Sequence, residues 1–183
     1  MDNNKEIRVA VYIDGSNLYH KLKDLKITRT TEFDYFGLCN FLARKRKVIS
    51  YRYYVGAVRA KEGDTQSQSM RSEQQRLFSH LGNQGFTVKQ GYLMENGGKY
   101  HEKGVDVKIA VDLLVGAYDD LYDVAILISS DTDLIPAIKK IKHLKKGLEY
   151  VGFSHNPSFG LQKNANLSIL LLKDDLEKFI KKD

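Results

Sequence analysis

Val9-Ala10-Val11-Tyr12-Ile13-Asp14-Gly15-Ser16-Asn17-Leu18 is an apolar run that ends abruptly in an acid, a glycine and two short polar residues. The same pattern returns far down the chain, where Val124-Ala125-Ile126-Leu127-Ile128 leads into Ser129-Ser130-Asp131-Thr132-Asp133. Unbroken Val/Ile/Leu runs bounded by polar turn residues suit central strands covered on both faces. In open parallel sheets, ligands bind beyond the carboxyl ends of such strands, near the point where strand order reverses. Two strands ending in carboxylates therefore bring Asp14, Asp131 and Asp133 towards one cleft. An oxygen-only cluster of this kind suits Mg²⁺ or Mn²⁺.

Outward from these strands, helical and extended patterns alternate. The stretch 17–26 reads as a short helix with Leu18, Leu22 and Leu25 on one side. The stretch 34–47 reads as a longer helix closed by Arg44-Lys45-Arg46-Lys47, charges that favour a helix C-terminus. An aromatic strand over 50–56, an exposed loop over 59–69, a helix over 70–81 and a strand over 86–93 follow. Residues 95–99 read as a turn or mobile loop. The stretch 105–118, apolar apart from Asp106, Lys108 and Asp112, predicts a deeply packed helix. A helix over 133–146 takes Pro136 in its first turn, where a missing N–H costs little. A strand over 148–153, a short helix near Phe159, a strand over 167–170 and a helix over 174–180 complete the pattern.

This alternation predicts an α/β fold: a three-layer α/β/α sandwich with a mostly parallel central sheet. The 183 residues suit one domain, 1–183, with a core over about 7–155 and a C-terminal extension over 156–183. Cys39 is the single cysteine, which excludes an internal disulfide and a cysteine-based zinc site and fits a reducing cytosol. No apolar stretch approaches the roughly 18 residues needed to cross a bilayer, so the expectation is a cytoplasmic protein without a membrane partner. The net charge is +6 although the candidate site is acidic. Carboxylates that hold a cation repel a polyanion unless basic side chains surround them, which favours nucleic acid over a neutral metabolite.

Each motif has a plain reading beside the chemical one. Asp14, or Ser130 and Asp131, could simply cap the helix that follows. Asp133 could sit in a first helical turn, favoured by the dipole. Asp106 opens a helix that is apolar nearly all round, where an unpartnered charge is costly. Asp112 lies six residues on, about 120° round the wheel, so the two are poorly placed to share one metal. Lys108 stands four residues before Asp112, the spacing of an ordinary ion pair.

Together, Asp14-Gly15-Ser16-Asn17, Lys103-Gly104-Val105-Asp106-Val107 with Asp112 behind it, and Ser130-Asp131-Thr132-Asp133 with Pro136 following resemble the signature of NYN domains. The LabA-like branch of these PIN-like nucleases is the nearest match, over residues 7 to 155 or so. The resemblance implies a PIN-like fold and Mg²⁺- or Mn²⁺-dependent cleavage of RNA. It carries the family's carboxylates onto Asp14, Asp106 and Asp131, with Asp133 as a further acidic member and Asp112 at a recurring acidic position. Asn17 matches the family's Asn, which would orient a metal-bound water or the scissile phosphate.

For substrate contact the sequence offers Ser16 beside the first acid and Arg59, Lys61, Arg71, Arg76, Lys99 and Lys103 in or near loops, with Tyr54 or Tyr100 to stack on a base. Of the five histidines, His101 alone falls near a motif. Two rivals stand beside the nuclease: a non-catalytic RNA-binding module on the same fold, and a haloacid-dehalogenase-like phosphatase, which would need a second Asp where Ser16 stands. A homodimer is left open, as is the choice between one metal and two.

Overall fold

Five consecutive residues of the first strand, Val9 to Ile13, have essentially no solvent exposure. In the computed structural model, which describes residues 6–58, 62–96 and 99–180, that strand is central to the sheet. Strand β1 (Arg8–Asp14) pairs in parallel with β2 (Lys47–Val55) on one side and β6 (Val124–Ile128) on the other. The six-stranded sheet runs β3-β2-β1-β6-β7-β8, with β3 at Thr87–Gln90, β7 at Gly147–Phe153 and β8 at Leu167–Leu171, every neighbour parallel.

Alternation along β1 divides the core. Val9, Val11 and Ile13 face a layer made by α1 (Gly15–Asp24), α2 (Tyr35–Ala43), α3 (Thr65–Asn83) and α7 (Lys173–Glu177). Ala10 and Tyr12 face the opposite layer of α4 (Val105–Tyr118), α5 (Ile135–His143) and α6 (Phe159–Asn164). The fold is thus the expected three-layer α/β/α sandwich. Each fully buried Val, Leu or Ile contributes about 1.5–3 kcal/mol. From β1 the chain steps outward to β2 and β3, then returns to β6 on the other flank. The crevice between the carboxyl ends of β1 and β6 is the switch point.

Several local expectations give way. Helix α2 stops at Ala43 because Arg44 adopts the left-handed conformation, φ 52°. The basic run consequently does not close the helix. Arg46 turns inward and holds the buried Glu149 of β7 by two hydrogen bonds, at 2.7 and 2.8 Å. Helix α3 starts at Thr65 rather than near Met70, because Asp64 caps it by accepting from the Gln66 and Ser67 N–H groups. The strand expected over 86–93 is two: β3 ends at Gln90, and Tyr92–Asn96 (β4) pairs antiparallel with Lys99–Lys103 (β5). Of the residues read as a loop, Glu95, Asn96 and Lys99 belong to that hairpin, and 97–98 lie outside the described residues. Helix α4 is packed on one face only: Val107, Val111, Val115 and Tyr118 are 46–66% exposed.

The last helix ends at Glu177; beyond it Ile180 bridges to Phe33 and the Phe179 carbonyl accepts from the Asp34 N–H at 2.7 Å. Strand β8, expected in a C-terminal extension, pairs in parallel with β7 at the edge of the central sheet. Among the described residues no helix is long and apolar enough to cross a membrane.

Candidate metal and phosphate site

Three helix starts converge at the crevice. Asp14 ends β1 and caps α1, its Oδ1 accepting from the Asn17 N–H at 3.0 Å. Between Asp14 and α1 the chain turns on Gly15, where a Cβ would lie 2.2 Å from the Tyr53 ring and 2.7 Å from the Tyr54 carbonyl. Only glycine fits, and that fixes the direction of Asp14, which is 5% exposed. Asp131 caps the 3₁₀ turn Thr132–Leu134 through its Oδ1, which accepts from the Asp133 N–H at 2.8 Å. Gly104, at φ 82°, caps α4 without any side-chain bond and delivers Asp106 into the first turn. The capping readings of Asp14 and Asp131 are therefore correct, and both carboxylates still border the cleft.

Ser129, fully buried, ties the two acidic strand ends together. Its Oγ donates to Asp14 Oδ2 at 2.9 Å and accepts from the Asp131 N–H at 3.1 Å. The cleft has a volume of about 390 Å³ and is lined by Asp14, Ser16, Asn17, His20, Gly104, Val105, Asp106, Ser130 and Asp131. The Asp106 carboxyl is pushed above the usual carboxylate range by partial burial, then by the charges of Asp131 and Asp14, with a smaller contribution from Asp133. The four acids share one electrostatic field. Asp133 is exposed and lies outside the lining.

Two buried oxygens in this cleft, Asn17 Oδ1 and Ser130 Oγ, have no hydrogen-bond partner. Orphaned buried acceptors are costly and mark a place where a water or ion belongs. Among the described residues, no three His, Cys, Asp or Glu side chains close into a ready-made cage. The donor set fits a hard cation that keeps several of its own waters, as Mg²⁺ does, and does not fit a desolvated metal such as structural zinc.

The other sequence candidates are scattered. Asp112 faces away from the cleft, accepting from the Tyr54 hydroxyl at 2.7 Å and pairing with Arg52 at 3.4 Å and Lys89 at 3.7 Å. It is an ion-pair partner, though not of Lys108, whose ammonium donates to the Gln90 carbonyl. Tyr54 is fully buried and cannot stack on a base. Lys103 is exposed next to Gly104. Arg59 and Lys61 lie outside the described residues, and Lys99 enters only as the first residue of β5. His20 was missed by sequence reasoning. Its position three residues after Asn17 puts both on one face of α1, the signal that could have found it. A larger hollow of about 900 Å³ lies between α2, α3 and the C-terminal residues. Its Asp34 is used to cap α2 and its His80 contacts the Phe33 carbonyl, so no comparable chemistry converges there.

Comparison with solved structures finds VPA0982 of Vibrio parahaemolyticus RIMD 2210633, a protein of unknown function. It is 22% identical with a TM-score of 0.71, over 93% of this chain and 96% of that one, which shows a shared fold. The 5′-exonuclease of bacteriophage T5 with divalent zinc ions bound gives 16% identity and a TM-score of 0.45, over 78% of this chain and 55% of that one. The T5 D15 flap endonuclease, as a pseudo-enzyme–product complex with DNA and metal ions, gives 15% and 0.39, over 78% and 54%. No curated protein matches the chain. The sequence model of the NYN domain matches residues 8–172, which takes in every motif above from Asp14 to Pro136, and the chain belongs to the NYN domain family.

Proposed function

We propose that the protein is a ribonuclease of the LabA-like NYN type that hydrolyses RNA phosphodiester bonds with Mg²⁺ or Mn²⁺, the chain 1–183 acting as one unit. The observation that carries this reading is the convergence of Asp14, Asp106 and Asp131 on one cleft beside two orphaned oxygens. Membership of the NYN family supports it over the phosphatase reading.

Asp14, Asp106 and Asp131 would hold the cation, with Asp133 adding negative charge from the rim. When bound, a divalent cation lowers the pKa of a coordinated water and stabilises charge developing on a phosphate. The chain's own groups supply the rest. Ser129 keeps Asp14 and Asp131 in fixed register. Asn17 Oδ1 and Ser130 Oγ are available to orient the attacking water, and the Ser16 side chain borders the same space. The amino ends of α1, α4 and the 3₁₀ turn point partial positive charge at the scissile phosphate. Lys103 would neutralise a neighbouring phosphate, and Lys99, Arg59 and Lys61 are further proposed contacts to the RNA.

One observation favours the second reading, a non-catalytic RNA-binding module: the acids do not close into a metal cage among the described residues. Titration with Mn²⁺ by calorimetry, together with cleavage of labelled single-stranded RNA by wild type and Asp131→Asn, separates the two. The nuclease reading expects one or more Mn²⁺ sites in wild type and metal-dependent cleavage that Asp131→Asn abolishes while melting normally. Cleavage by the variant at the wild-type rate sinks it.

A further inference from the structure

One stretch carries a local surplus of positive charge beside the acidic turn. Residues 135–166 contain six lysines against a single acid, Glu149. Glu149 is itself occupied by Arg46 from outside the segment. Of the lysines, Lys146 is neutralised by Asp120 and Lys140 lies over the Tyr118 ring at 5.7 Å. Lys139, Lys142 and His143 on the exposed side of α5 border, with Asn164 of α6, a shallow depression of about 280 Å³. Lys142 Nζ donates to the Asn164 carbonyl at 2.8 Å, which holds that lysine across the gap. Lys163 is exposed on α6.

The same short helix carries Phe159, 78% exposed, the highest value for any large apolar side chain among the described residues. Lys163 is four positions on, hence on the same side. The adjoining Gly160 abuts the acidic turn: a Cβ there would meet Thr132 Cγ2 at 3.1 Å and Ile135 Cδ1 at 3.3 Å. Phe159 therefore stands beside the turn that carries Asp131 and Asp133. Lys139 stands four residues into α5 from Ile135, roughly 6 Å along it at the α-helical rise.

We propose that the α5–α6 surface is the track for a single-stranded RNA leaving the acidic cleft. Phe159 stacks on an unpaired base next to the cleft, and Lys139, Lys142 and Lys163 neutralise the phosphates beyond it. A cleft of carboxylates repels the polymer it cuts, so binding free energy has to come from cations outside it. An exposed ring interleaved with lysines suits single strands, because every base presents a π-face and a paired base does not. That the polymer is RNA rests on the nuclease reading; the position of the track does not.

The test is fluorescence anisotropy of a labelled single-stranded RNA oligonucleotide with the Asp131→Asn protein in chelator, across a salt series. Replacing Lys139, Lys142 and Lys163 together by Gln should lower affinity more than about ten-fold at low salt. It should also flatten the slope of log affinity against log salt by about 2, at roughly 0.7 per phosphate contact. Phe159→Ala should weaken single-strand binding about ten-fold, leave the slope unchanged and leave duplex binding unaffected. All four side chains are exposed, so the variants keep the fold. Wild-type affinity and slope in both variants overturn the track. So does a triple variant that loses binding to phosphatidylserine vesicles while holding RNA normally, which would assign the patch to an anionic membrane. Failure of the nuclease reading shows separately, as intact RNA after incubation with wild type and Mn²⁺.

Discussion

Ser129 Oγ donates to Asp14 Oδ2 at 2.9 Å across the seam between β1 and β6, and the same oxygen accepts from the Asp131 N–H. One buried hydroxyl thus sets the spacing of two acids that lie far apart in the chain. Supporting groups that orient metal-binding side chains typically contribute 10- to 100-fold to metal affinity. Ser129→Ala should weaken Mn²⁺ binding by about that factor and cost about 1–2 kcal/mol in stability, the usual loss for a buried hydrogen bond. Calorimetry and denaturant melts read both. Unchanged Mn²⁺ affinity would leave Ser129 a purely structural residue.

Asp106 carries a stability cost that can be removed. Its carboxyl titrates above the ordinary value in the folded protein, through partial burial and then the neighbouring acids. The folded state therefore binds that proton more tightly than the unfolded chain, and the ionised group destabilises the fold once pH exceeds the folded pKa. Without metal, Asp106→Asn should melt a few degrees higher than wild type at neutral pH. The gain should vanish as pH falls below the ordinary carboxylate range. An equal gain at every pH would mean the effect is not electrostatic.

Asp112→Asn should behave in the opposite way. An amide still accepts from the Tyr54 hydroxyl but leaves Arg52 and Lys89 without their carboxylate. Loss of this half-buried partner should cost about 2 kcal/mol, the scale of hydrogen bonds to charged groups. Metal affinity should change little. A variant that melts like wild type yet binds no Mn²⁺ would move Asp112 into the site.

Arg46→Ala tests the buried ion pair. Removing one partner strands Glu149 inside β7, and such losses run to about 3 kcal/mol. Lys47→Ala, which breaks only the exposed contact to Glu6 at 3.2 Å, should stay within about 0.5 kcal/mol. Similar melting of the two variants would contradict the distinction.

That Asp14 and Asp131 border one crevice was legible because each closely follows an apolar run, and strand ends at a switch point face the same crevice, whereas Asp106 reaches it from the first turn of α4. The sandwich was legible for the same reason: the runs 9–13 of β1 and Val124–Ile128 of β6 have no charged interruption that would open a face to water. The hairpin β4–β5 was not. Residues 86–93 read as one extended run, and the glycine at position 91 was passed over as part of it. The break comes from packing, since a Cβ there would lie 2.6 Å from Val105 Cγ2 and 2.8 Å from the Lys103 carbonyl. The first turn of α3 was hidden because Thr65-Gln66-Ser67-Gln68-Ser69 has no apolar period and poor helix propensity. Arg46 was misread as helix-end solvation because its partner Glu149 is more than one hundred positions away. His20 was invisible for want of a motif, though the helix wheel beside Asn17 would have placed it.

The pairing of β1 with β6, Val9 against Val124 through Ile13 against Ile128, also orders the events of folding. Contacts this distant in sequence form late, after the loop-closure entropy of the intervening chain has been met. During synthesis β1 can find β2 early, but its other edge stays unpaired until the ribosome has passed residue 128. Over that interval the nascent chain carries a long, hydrophobic, open strand edge, the template on which chains aggregate. Chains that terminate before β6 are therefore a burden for chaperones, and the acidic cleft comes into being only once β6 has paired with β1.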